Sequence, residues 1–111
     1  MKISDIVEKL KLTVFSGEKG LENEVLGGYT SDLLSDVMGN ASEGEVWVTL
    51  QTHKNVMAIA SLKDLAAVVL VKGYEPDADT AQVSNNENIP ILGTDKETFE
   101  ITGELYHLLN Q

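Results

Sequence analysis

Glu45-Val-Trp-Val-Thr-Leu-Gln-Thr-His-Lys-Asn-Val-Met-Ala-Ile-Ala-Ser-Leu62 is the stretch from which the fold of this chain can be read. Its first part alternates as a strand does, with Val46, Val48 and Leu50 on one side and Trp47 and Thr49 on the other. The polar run Gln51-Thr-His-Lys-Asn55 then turns the chain. Val56 to Leu62 continues as a helix that is apolar on nearly every side, a pattern that requires burial. A buried strand feeding a buried helix puts the intervening turn at the strand's carboxyl end. In open α/β sheets this is the edge where ligands bind.

Downstream, Ala67-Val-Val-Leu-Val71 is an unbroken apolar run, predicting a central parallel strand covered on both faces. Lys72 to Pro76 breaks the chain, and Asp77 can cap a rather polar helix to about Glu87. Ile89-Pro-Ile-Leu92 reads as a short strand with its proline near the start. Thr94-Asp-Lys-Glu97 matches a capping box for a last helix to about Leu109. Phe99, Thr102, Tyr106 and Leu109 share one face of that helix, with Ile101, Leu105 and Leu108 beside it. Gly103 within it predicts a close packing contact.

Upstream, Ser4 and Asp5 can cap a helix carrying Ile3, Ile6, Val7 and Leu10 at helical spacing. Leu12–Phe15 reads as a strand, Gly17–Gly20 as a turn, and Glu24–Leu26 as a second strand ending at Gly27-Gly28-Tyr29. The two strands can form a hairpin or belong to separate parts of one sheet. Thr30 and Ser31 cap a helix to about Met38 with Leu33, Leu34, Val37 and Met38 as its core stripe, and Gly39-Asn40 stops it. From residue 24 strand and helix alternate four times. This predicts one α/β domain over residues 1–111, with a mostly parallel sheet of four to five strands flanked by helices.

Composition narrows the function. Eighteen acidic against eight basic residues give a net charge of −10, and the basic residues are scattered along the chain. That argues against general nucleic-acid binding, which needs clustered cations. Without cysteine there are no disulfides or thiolate metal sites, a composition that fits a reducing cytoplasm. No apolar segment approaches the roughly 20 residues of a bilayer span, and the charged first residues lack the apolar run of a signal peptide. No G-x-x-x-x-G-K-[ST] is present, so the chain cannot phosphorylate as a P-loop kinase does. Also missing are G-x-G-x-x-G, G-x-S-x-G and closely spaced histidine pairs. No catalytic residue, metal ligand or cofactor is assigned.

If the strands are parallel, four loops converge on one edge: Gly27–Ser31, Gln51–Asn55, Lys72–Glu75 and Gly93–Asp95. Helix N-termini beside such loops offer free N–H groups and a favourable dipole to anions. The candidate ligand-binding residues are therefore Gly28, Thr30, Ser31, Thr52, His53, Lys54, Asn55, Gly73 and Thr94. His53 and Lys54 fall in the turn expected to be the most buried. The same residue types serve as ordinary helix caps.

The segments Gly27–Met38 and Val46–Ala60, followed in order by Gly73-Tyr-Glu-Pro-Asp77, Ile89-Pro-Ile-Leu92 and Thr98-Phe-Glu100, resemble a stand-alone DRTGG domain over roughly residues 24–109. The string that names the family is absent, and Gln51–Asn55 occupies its place. The resemblance implies a fold similar to the N-terminal domain of HPr kinase/phosphorylase without its kinase domain. It also implies a regulatory role, since related domains accompany phosphotransacetylases and CBS pairs. The expected function is a non-catalytic module sensing a small anionic metabolite or nucleotide. The alternative is a protein-interaction module, a homodimer or one docking on a partner enzyme, with no ligand. A general-base role for His53 is a third reading.

Overall fold

The computed structural model describes all 111 residues, Met1 to Gln111. Its elements in chain order are α1 (Ile3–Leu10), β1 (Thr13–Ser16), a short 3-10 turn (Glu18–Gly20), β2 (Gly27–Thr30), α2 (Leu34–Asn40), β3 (Glu45–Thr49), α3 (Asn55–Leu62), β4 (Ala67–Leu70), α4 (Ala78–Glu87), β5 (Ile91–Gly93) and α5 (Thr98–Leu109). They build a five-stranded sheet in the order β1-β5-β4-β3-β2. β2, β3, β4 and β5 run parallel, while β1 joins β5 antiparallel. The mostly parallel sheet flanked by helices is the expected architecture, and the unresolved hairpin is settled, because β1 and β2 lie at opposite edges.

The alternation read in residues 45–50 divides the core. Val46, Val48, Ala67, Val69 and Leu92 point to one face and meet Ile3 and Ile6 of α1 and Ile101, Leu105 and Leu108 of α5. Trp47, Val68, Leu70 and Ile91 point to the other and meet Val37, Val56, Met57 and Ala60. α3 buries Val56, Met57, Ile59 and Ala60 but leaves Ala58 and Leu62 exposed, so it is covered on one face and not all round as its apolar sequence predicts, whereas all four residues of β4 are buried. Fully buried side chains of this size each contribute roughly 1.5–3 kcal/mol of transfer free energy.

Several local expectations shift. Residues 24–26 make only an isolated bridge, Glu24 to Lys2, and the strand is Gly27–Thr30 instead. Two glycines form a strand here because β3 supplies the ladder and Leu105 fits against Gly28, where an added Cβ would sit 3.3 Å from Leu105 Cδ2. α1 is capped at Lys2, whose N–H donates to Asp5 at 2.8 Å from inside the first turn. α2 starts at Leu34, with Leu33 and Met38 exposed and only Val37 of the expected stripe buried. Thr94 caps no helix: its Oγ1 accepts from the Lys96 N–H in a tight turn, and α5 begins at Thr98. α5 buries its Ile101/Leu105/Leu108 face and leaves Phe99 92% and Tyr106 70% exposed. Gly103 has no neighbour near it, contrary to the expected close contact. No helix is long and apolar enough to cross a membrane.

Candidate functional site

The carboxyl ends of β2 to β5 form one edge, and hydrogen bonds join their loops. Asp32 Oδ1 accepts from Thr49 Oγ1 and from the Leu50 N–H, both at 2.9 Å, and the Asp32 carbonyl accepts from Gln51 Nε2. Asp77 N–H donates to the Thr52 carbonyl, and His53 Nδ1 lies 3.0 Å from Asp77 Oδ2. Lys72 and Gly73 take left-handed backbone angles in succession, with φ of 60° and 77°. This tight turn directs their N–H groups to the carbonyls of Lys96 and Thr94, each at 2.9 Å. Glycine suits the second position because it adopts positive φ without steric cost.

The nine candidate residues do not share one pocket. Gly28 and Thr30 lie within strand β2, Gly28 against Leu105 and Thr30 hydrogen-bonded to Thr102 at 2.9 Å. Ser31 is structural. Its hydroxyl accepts from the Leu33 N–H, and its carbonyl takes the indole N–H of Trp47 at 2.8 Å. Contrary to expectation, the 51–55 turn is not buried: the His53 side chain is 73% exposed, and Lys54 and Asn55 are exposed too. The first-turn donors of α3 are largely used, since Val56 N–H bonds the His53 carbonyl and Met57 and Ala58 N–H bond that of Lys54. An anion site at that helix start is therefore weakened, because satisfied N–H groups have little left to offer.

Gly73 and Thr94 do line a cleft, of about 610 Å³. Its other wall is made by Lys9, Leu10 and Lys11 at the end of α1 and by Thr13 and Phe15 of β1, with Tyr74 and Lys96 completing the rim. Three of the eight basic residues thus meet at one place. Lys96 is held by Glu104 at 2.6 Å, whereas Lys9 and Lys11 make no ion pair. Glu75 and Asp95 also border the cleft, so its charge balances in a chain that is strongly acidic elsewhere. A second cleft of about 540 Å³ at the opposite end of the strands carries Glu24, Glu43, Asp64 and Glu87 with no basic residue, and would repel an anion. Lys9 and Lys11 are not among the residues singled out from the sequence. Their spacing signals only a helix C-terminus, where lysines are favoured in any case.

Beside the edge, Tyr29 Oη donates to both carboxylate oxygens of Asp36 at 3.0 and 2.9 Å. Hydrogen bonding by Ser31, then by Tyr29 and Asn40, holds the Asp36 carboxyl below its usual 3.8. Desolvation, reinforced by Asp36, raises the Tyr29 phenol above its usual 10.0. The lowered carboxyl gives stability that is present above the unfolded pKa and lost as pH falls through the folded one. The raised phenol gives stability that is present below pH 10 and lost as pH rises through its folded pKa. Urea denaturation of the wild type and of Tyr29→Phe should therefore differ by a constant amount at neutral pH. The difference should shrink both in acid and in strong alkali; one unchanged at the acid end would contradict the pairing.

The family model described as "DRTGG domain" matches residues 5–108. The chain belongs to the DRTGG domain family. No curated protein matches it. Among solved structures, this DRTGG domain is similar to the CBS and DRTGG domains of the regulatory region of Clostridium perfringens pyrophosphatase, complexed with its activator diadenosine tetraphosphate. The TM-score is 0.72 at 13% identity, over 95% of this chain and 45% of that one. The likeness is one of fold, and this DRTGG domain spans less than half of that structure.

Proposed function

We propose that this DRTGG domain is a regulatory module without catalysis of its own, sensing a small anionic metabolite or nucleotide in the cleft between α1 and the loops after β4 and β5. The observation that carries this is the pairing of two unengaged lysines, Lys9 and Lys11, with a cleft of about 610 Å³ at the carboxyl ends of parallel strands. Phe15 and Tyr74 add flat apolar surface, and Thr13 and Thr94 add hydroxyls for orientation. Regulation is supported by the family, and by the fold neighbour being the regulatory region of an enzyme with a nucleotide activator. Bound ligand would be read by a partner enzyme. A general-base role for His53 lacks support: Asp77 orients one ring nitrogen, but no nucleophile is hydrogen-bonded to the other.

Thermal-shift measurements with nucleotides, acyl phosphates and coenzyme A compounds test this. A ligand at a hundred times its Kd stabilises by about 2.7 kcal/mol, a rise of roughly 10–20 °C for a chain of this size. Replacing Lys9 and Lys11 together by alanine should abolish the rise, while His53→Ala should retain it. If no compound raises the melting temperature at millimolar concentration, the sensing function is wrong. If the double variant responds like wild type, the site lies elsewhere.

The exposed Phe99 and Tyr106 favour, as a second reading, an interaction module.

A further inference from the structure

Strand β2 is an open edge of the sheet, and it lacks the devices that usually protect one. The four residues Gly27–Thr30 contain no proline, no charge and no bulge. The other edge, β1, breaks register between Val14 and Ser16 and starts two residues after Lys11. Open strand edges present unpaired N–H and C=O groups and attract other strands unless blocked.

The surroundings of β2 are apolar on both faces. Of the eight large hydrophobic side chains left exposed, five lie on β2's neighbours: Leu26 just before it, Leu33 and Met38 around α2, and Phe99 and Tyr106 on α5. A cleft of about 490 Å³ runs between β2 and α5, and Leu105, Tyr106 and Leu109 are among its lining. Charge then narrows what can cover it. Only Glu45 among its eleven lining residues is charged at neutral pH, and its carboxylate accepts from the Ser42 N–H at 2.6 Å. The other two clefts carry six and four charged side chains. Two molecules of net charge −10 meet with least repulsion through the patch that lacks that charge.

We propose that the occupant is a second copy of this chain, paired antiparallel along β2 about a two-fold axis perpendicular to the sheet. Such an axis carries each face of the sheet onto itself. It therefore sets α5 beside its mate on one face and α2 beside its mate on the other, so the exposed apolar residues of both elements flank the seam. The interface is isologous, each copy giving the same patch. The ligand cleft lies at the opposite edge of the sheet and stays open in the dimer, so this proposal does not depend on the sensing function.

Sedimentation velocity on the full chain is the test. The wild type should run at twice 12.1 kDa, and added salt should tighten the pair by screening like charges. Phe99→Asp and Tyr106→Asp alter exposed side chains, so each should keep the wild-type circular dichroism while running as a monomer. Leu62→Lys changes an exposed leucine on α3, away from β2, and should remain dimeric. A monomeric wild type up to millimolar concentration overturns the proposal, leaving the edge to a different protein. A dimer untouched by either aspartate, or one that dissociates as salt rises, overturns it as well.

Discussion

Trp47→Ala should lower the free energy of unfolding by about 3–5 kcal/mol, the usual cost of truncating a large buried aromatic side chain. A domain of this size is stabilised by only about 5–15 kcal/mol in total, so the variant should be partly unfolded at modest temperature. Trp47 is the bulkiest of the fully buried residues and fills the face of β3 that meets α2 and α3. Its loss opens a cavity bordered by helices on either side of the sheet's second strand, and these cannot close it without moving. It also removes the donor to the Ser31 carbonyl, which holds the loop from β2 to α2. Trp47→Phe separates the two effects: it keeps most of the packing and loses the N–H, and should cost about 1–2 kcal/mol. Trp47 is the only tryptophan, so far-ultraviolet circular dichroism in urea is the measurement to use. A loss below 1 kcal/mol for the alanine variant would mean that the two helices collapse freely onto the strand.

Gly20→Ala should be nearly as damaging, at about 3 kcal/mol, the upper end for forcing extra volume into a packed site. Gly20 ends the 3-10 turn after β1, and an added Cβ would overlap the Asn88 carbonyl oxygen and lie 2.6 Å from Pro90 Cδ. The neighbour is backbone, so a side chain cannot simply swing away. The turn carries β1 against the segment entering β5, where Asn23 Nδ2 also donates to the carbonyls of Asn88 and Ala66. Pushing it outward would loosen the one antiparallel strand and the β1 wall of the cleft beside α1. Gly103→Ala is the contrasting case. It sits on an open face of α5 with nothing near an added Cβ, and should stabilise by about 0.5–1 kcal/mol through helix propensity alone. Parallel urea titrations of the two variants, moving in opposite directions, would check both.

How much of the site was legible follows from where each signal resides. The edge could be placed from the sequence because β3 and β4 announce themselves as buried strands, and parallel strands bring their carboxyl ends together. Gly73 and Thr94 were named for that reason, and they line the cleft. The burial of the 51–55 turn could not be read, because a polar turn between two buried elements reads the same whether it folds inward or stands in solvent, as His53 does. Lys9 and Lys11 carried no local signal. They reach the cleft only because β1 pairs antiparallel with β5 and swings the end of α1 over the loop after Gly93.

Local periodicity by itself determined the α/β class and the order of elements from β3 onward, because a segment buried on both faces must be apolar throughout wherever it sits. The tertiary structure alone decided three things. It made Gly27–Thr30 a strand, since two glycines have no β preference until β3 offers its ladder. It chose which face of α5 is buried, because Phe99 and Ile101 are alike in hydrophobicity and differ only in which side meets the sheet. And it assembled the cleft, because charges far apart in sequence meet only where strand order brings them.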